Sequence, residues 1–202
     1  ALAKIPTENY LTDRVDFATF SSHKFHGVRG VGFVYIKSGK RIVPLLTGGG
    51  QEGDYRSTTE NVAGSAATAK ALRLSMEKLA IFASKTGQMK AVIRQALLDY
   101  PDIFVFSDEE DFAPHILTFG IKGVRGEVIV HAFEDYDIFI STTSACSSKA
   151  GKPAGTLIAM GVDKDKAQSA VRLSLDLEND MSQVEQFLTK LKLIYNQTRK
   201  VR

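Results

Sequence analysis

The chain has no tryptophan and a single cysteine among its 202 residues. One cysteine excludes an internal disulfide and fits a reducing compartment, so a cytoplasmic location is expected. It also argues against zinc. The one close histidine pair, His23 and His26, has Lys24 between them and no cysteine or carboxylate nearby at ligand spacing, and no metal site is expected. No apolar run approaches the ~20 residues that a bilayer crossing needs, and the first residues carry no signal-peptide pattern. Charge of one sign is lacking too. The 26 basic residues are nearly balanced by 23 acidic ones, and they are scattered rather than striped, which excludes the electrostatic footprint of a nucleic-acid binder. Only the tail beyond Lys190 is clearly basic, and it reads as the solvated end of a last helix. What remains is a chain that is 44% hydrophobic, long enough for one large domain or two small ones.

Residues 15–21 are apolar and aromatic, as in a strand buried on both faces, and 31–36 form the next β-type run. Together they suggest a small parallel-type piece. Residues 47–59 are polar and glycine-rich, and a structureless loop of about 13 residues is often functional. Asn61 suits the cap of a helix over 62–83, with a kink at Gly87 and helix resuming to about Leu98. Strands are expected at 103–106, 115–121, 138–140 and 171–175. Helices are expected at 126–133, 154–160, 164–167 and 181–196. The whole reads as α/β.

Two segments carry chemistry. The first is Ser21-Ser22-His23-Lys24, at the end of the first strand. A lysine beside a serine hydroxyl and a histidine ring N–H suits an aldehyde cofactor that also carries a phosphate, because the amine can form a Schiff base while the neighbours hold the phosphate. Taken alone, the pattern reads first as a surface turn. The second is Ser141-Thr142-Thr143-Ser144-Ala145-Cys146-Ser147-Ser148. A lone cysteine is ordinarily a small buried hydrophobe. Here no bulky apolar residue stands between 141 and 151, so an exposed thiol is expected, and Lys149 would favour its thiolate. Gly48-Gly49-Gly50 lacks the Lys-Ser/Thr of a phosphate-binding loop, and Gly30-Val31-Gly32 lacks the rest of a dinucleotide fingerprint. Arg172, between Val171 and Leu173, fits a ligand-facing or a plain surface arginine equally.

Four blocks in this order resemble the cysteine desulfurases of the NifS/IscS type. Residues 21–35 are similar to a lysine segment that reads Ser-Gly-His-Lys, then Gly-Pro-Lys-Gly, then a strand. Gly48-Gly49-Gly50-Gln51-Glu52 and Arg56-Ser57-Thr58-Thr59-Glu60-Asn61 are similar to Gly-Gly-Gly-Gln-Glu and Arg-Ser-Gly-Thr-Glu-Asn. Residues 141–148 are similar to a Ser-x-Ser-Ala-Cys-Ser loop, and Val171-Arg172-Leu173-Ser174-Leu175 to a late Ile/Val-Arg-Phe/Leu-Ser strand. The resemblance covers essentially the whole chain.

The resemblance implies the following. The fold would be part of the fold-type I architecture of pyridoxal-phosphate enzymes, the class V aminotransferase group. Residues 1–76 would end the large cofactor domain, and 77–202 would form the small α/β domain. Lys24 would hold pyridoxal 5'-phosphate as a Schiff base and move the substrate Cα proton. Ser21 and His23 would bind the cofactor phosphate, and Thr59 that of a partner subunit in a homodimer. Arg172 would pair with the substrate carboxylate. Cys146 would take sulfur from L-cysteine as a persulfide and pass it to an acceptor or scaffold protein, leaving L-alanine. Neighbouring possibilities are a selenocysteine lyase or cysteine-sulfinate desulfinase, or a module that only dimerises or binds partners. Thr58 and Thr143 stand where the pattern carries glycine, and residues 175–179 replace a Leu-Gly turn. The histidine that stacks on the pyridine ring, and the aspartate that pairs with its nitrogen, belong to segments upstream of the lysine that this chain does not carry. Ala1-Leu2-Ala3-Lys4-Ile5-Pro6 reads like the middle of a protein. A C-terminal half is expected, inactive or nearly so on its own.

Overall fold

A computed structural model describes residues 3–6, 8, 11–107, 112–142 and 155–200, apart from the side chains of 199 and 200. It divides into two compact units, Ala1–Ile81 and Phe82–Arg202.

In the first unit, β1 (Phe17–Ser21) pairs with β2 (Gly32–Ile36), with Phe17 opposite Ile36 and Ser21 opposite Gly32. The pair is antiparallel, which corrects the expected parallel arrangement. The connection from 22 to 31 is too short for the crossover of a dozen or more residues that parallel strands need. β1 is also not buried on both faces: Ala18 and Phe20 are half-buried, while Phe17 and Thr19 are exposed. Phe20 stacks on Phe33 with ring centroids 4.9 Å apart. Residues 22–25 form a single 3₁₀ turn, closed by His26 in the left-handed region at φ 65°. Residues 37–61 form no helix or strand. The helix α1 (Val62–Glu77) then starts on the predicted cap, with Asn61 Oδ1 accepting the Gly64 amide at 2.9 Å.

The helical run breaks at Lys78, and α2 (Leu79–Leu98) continues it. No break occurs at Gly87. Phe82, Thr86, Met89, Lys90, Ile93 and Leu97 are buried at helical spacing on both sides of it. The helix cost of one glycine, about 1 kcal/mol, is outweighed by the burial of that stripe.

The second unit holds a four-stranded antiparallel sheet in the order β3-β4-β6-β5, from β3 (Ile103–Val105), β4 (Ile116–Ile121), β5 (Ser141–Thr142) and β6 (Val171–Ser174). Its core joins α2, α3 (Gly126–Glu134) and α6 (Met181–Lys200) to one side of the strands. Leu117, Phe119 and Ile121 of β4 and Val171 and Leu173 of β6 are buried, alternating with the more exposed Thr118, Arg172 and Ser174. Phe187 of α6 stacks on Phe133 at 5.0 Å and meets Phe119 edge-on. Gly126 is needed where α3 starts, because a Cβ there would lie 2.8 Å from the Ala170 carbonyl oxygen. The short α4 (Gly155–Ala159) and α5 (Lys164–Gln168) pack through Leu157, Ala167 and Ala170.

The strand expected at 138–140 is displaced to Ser141–Thr142. The Ile138 amide still donates to the Phe133 carbonyl at 3.1 Å, so this stretch ends α3 before pairing can begin. α6 starts on a reciprocal capping box. The Gln183 amide donates to Asp180 Oδ1, and the Asp180 amide donates to Gln183 Oε1. The Ser182 hydroxyl bond holds the Asp180 carboxyl below the usual carboxylate range. Among the described residues, no helix is long and apolar enough to cross a membrane, and no His/Cys/Asp/Glu group could hold a metal.

Candidate functional site

Lys24 sits on a turn that is fastened from beneath and open above. A 3₁₀ turn advances three residues per revolution, so side chains three apart share a side. Ser22 and Phe25 form the inward pair, and both are fully buried. Phe25 packs with Ala3, Phe20, Ala71 and Leu72, and its carbonyl accepts a hydrogen bond from the Ser75 hydroxyl at 3.2 Å. Ser22 accepts one from the Thr68 hydroxyl at 3.0 Å. Thr68, Ala71, Leu72 and Ser75 recur at helical spacing, so one face of α1 is the floor of the turn.

Ser21 and Lys24 form an outward pair, and His23 is exposed beside them. Ser21 occupies the cap position of the turn, yet its hydroxyl makes no capping bond. It is therefore not committed to the backbone. A hydroxyl, an imidazole and an amine thus project from the exposed positions 21, 23 and 24 on a fixed base, with the buried Ser22 between the first two. His26, the fourth residue of this stretch, lies 3.2 Å from the Lys4 amine through its Nε2.

Thr59 is exposed, two residues before the Asn61 cap. The same helix therefore begins next to Thr59 and supports the Lys24 turn about 10 Å further along, at a rise of 1.5 Å per residue from Asn61 to Thr68. Three of the four cofactor-binding candidates, Ser21, His23 and Lys24, lie on one turn, and the fourth lies at the head of the helix beneath it.

Arg172 lies in the second unit, on the exposed side of β6. Its Cα partners are Thr118 on β4 and Ser141 on β5. Because Val171 and Leu173 take the core side, the guanidinium is left to the opposite face. β5 is the strand that leads into the cysteine segment, so Arg172 pairs with the residue five positions before Cys146. Cys146 itself lies outside the described residues.

Sequence reasoning missed Ser22, Phe25, Thr68 and Ser75, the residues that hold the turn. The three-residue spacing of Ser22 and Phe25 was a signal for the first two. No local pattern pointed to Thr68 or Ser75.

These positions fall within a known class of proteins. Residues 10–187 match the family of class-V aminotransferases, and the chain belongs to that family. Over all of its 202 residues it is 46% identical to a NifS/IcsS protein homolog of Lactobacillus delbrueckii subsp. bulgaricus, covering 52% of that protein. It is 33% identical to the cysteine desulfurase IscS of Clostridium botulinum, over 93% of this chain and 48% of the other. Among solved structures, a NifS-like protein superposes with a TM-score of 0.78 at 34% identity, over 92% of this chain and 47% of that one. The chain spans about half the length of the curated relatives it matches. The NifS/IscS resemblance and the partial fold-type I architecture read from the four motif blocks both agree with these matches.

Proposed function

We propose that this chain is the C-terminal portion of a cysteine desulfurase that converts L-cysteine to L-alanine and carries the released sulfur on Cys146. Residues 1–76 would be the end of the large cofactor domain, and 77–202 the small domain. The observation that carries the reading is the Lys24 turn, with its outward amine flanked by an uncommitted hydroxyl and an imidazole on a buried base. That donor set fits pyridoxal 5'-phosphate, an aldehyde with a dianionic phosphate. Bound there, the cofactor would supply an electron sink for the substrate.

The chain's own residues would do the rest. Lys24 would hold the cofactor through its amine and then carry a proton to and from the substrate Cα. Ser21 and His23 would donate hydrogen bonds to the phosphate, and Thr59 would do so for the cofactor of a second subunit in a homodimer. Arg172 would fix the substrate carboxylate with two parallel N–H bonds. The Cys146 thiolate would attack the substrate sulfur. A sulfur–sulfur bond forms, the carbon–sulfur bond breaks, and the electron pair left on carbon takes up a proton. The sum is L-cysteine plus protein thiol giving L-alanine plus protein persulfide. The persulfide would pass to an acceptor or scaffold protein in a cytoplasmic setting, which a single cysteine suits.

The test is to incubate the protein carrying this sequence, at its natural length, with pyridoxal phosphate, L-cysteine and a thiol reductant. Alanine and reducible sulfur are expected in equal amounts. Alanine without sulfur, or neither, would overturn the proposal.

A further inference from the structure

Ser22 is the member of the Lys24 turn for which the proposed chemistry has no use, and it is fully buried. Its hydroxyl accepts a hydrogen bond from Thr68, itself only 6% exposed. Its backbone is held as well. The amide donates to the Val31 carbonyl, and its carbonyl accepts the Gly27 amide, both at 3.0 Å. Gly27 closes over the hydroxyl so tightly that a Cβ there would stand 1.9 Å from Ser22 Oγ. Walled off in this way, the Ser22 hydroxyl cannot exchange its partner for water, and removing the Thr68 hydroxyl leaves it short of a bond.

A single 3₁₀ turn fixes its own orientation weakly, because it is short and its hydrogen bonds are strained in geometry. Thr68, in contrast, stands in the body of the 16-residue helix α1. Burial of Phe25 sets how far the turn lies from that helix, but apolar contact is non-directional. The hydroxyl pair is directional and therefore sets how the turn is rotated. Ser22 lies next but one before Lys24 on the same revolution, so rotating one swings the other.

We propose that the Ser22–Thr68 hydrogen bond is a positioning latch, which fixes the rotation of the turn and so aims the Lys24 amine at the aldehyde carbon of the cofactor. The proposal rests on the reading of Lys24 given above. In the step it serves, the amine loses a proton to solvent and adds to the aldehyde carbon, and water leaves as the carbon–nitrogen double bond forms. Such additions depend steeply on approach geometry, and a misplacement of about 1 Å can cost roughly 100-fold.

The test adds pyridoxal phosphate to the protein, reduces the adduct with borohydride, and follows labelling by peptide mass spectrometry. The rate at Lys24 is read against Lys37 and Lys40 of the same chain. Ser22→Ala and Thr68→Val each remove one hydroxyl, and Thr68→Ser keeps the donor. The ratio is expected to fall roughly 10-fold in each of the first two, no further in the double variant, and less than about twofold in Thr68→Ser. An unchanged ratio in Ser22→Ala and Thr68→Val overturns the latch and leaves the Lys24 reading standing. Wild-type Lys24 reacting no faster than Lys37 and Lys40 overturns that reading and the latch with it. Thermal midpoints are measured in parallel. A ratio that falls only with the folded fraction, with Thr68→Ser no better than Thr68→Val, also overturns the latch.

Discussion

Replacing Cys146 with serine is expected to lower alanine release from L-cysteine by roughly 1,000-fold or more, while leaving pyridoxal phosphate bound. The serine hydroxyl is close in size to the thiol it replaces. It is, however, a far weaker nucleophile toward sulfur than a thiolate, and a sulfur–oxygen bond is a poor substitute for the persulfide. Lys24, Ser21, His23 and Thr59 lie on a different unit of the chain, which is why cofactor attachment should survive. The measurement is alanine and reducible sulfur from L-cysteine, with the bound cofactor quantified in the same samples. Alanine release that persists in Cys146→Ser would point to a thiol-independent lyase acting on selenocysteine or cysteine sulfinate.

Replacing Arg172 with alanine should raise KM for L-cysteine by about 10- to 100-fold, with a smaller rise for Arg172→Lys. A paired charge-assisted hydrogen bond to a carboxylate is worth roughly 1.5–3 kcal/mol, and each 1.4 kcal/mol is a factor of ten. Lysine keeps the charge and loses the planar fork. β6 makes this a clean substitution. Its buried residues are Val171 and Leu173, and Arg172 is on the exposed side, so the thermal midpoint should hardly move. Kinetics for L-cysteine, with thermal unfolding as control, check it. An unchanged KM would return Arg172 to the ordinary surface.

How much of this was legible in the sequence follows the range of the interactions involved. The Asn61 cap, the strands β4 and β6 and the closing helix α6 rest on local runs of side chains, and they form close to where they were expected. The antiparallel pairing of β1 and β2 is set by the short connection between them, not by the apolar content of the strands, which suits either arrangement. Gly87 looked like a kink by propensity alone, but a buried stripe carries α2 straight through it. At the candidate site, Ser21, His23, Lys24 and Thr59 stand in short motifs and could be named. The Ser22–Thr68 bond joins residues 46 apart, and the Arg172–Ser141 pairing depends on strand register. Neither can be seen before the chain is folded.

The measurement that bears most directly on this account is the visible absorption spectrum of the protein with pyridoxal phosphate, compared with that of Lys24→Ala. The account predicts the band of a lysine-bound cofactor in the first and its loss in the second, with free pyridoxal phosphate recovered on filtration. Indistinguishable spectra, with or without such a band, would contradict the assignment of Lys24 and the function built on it.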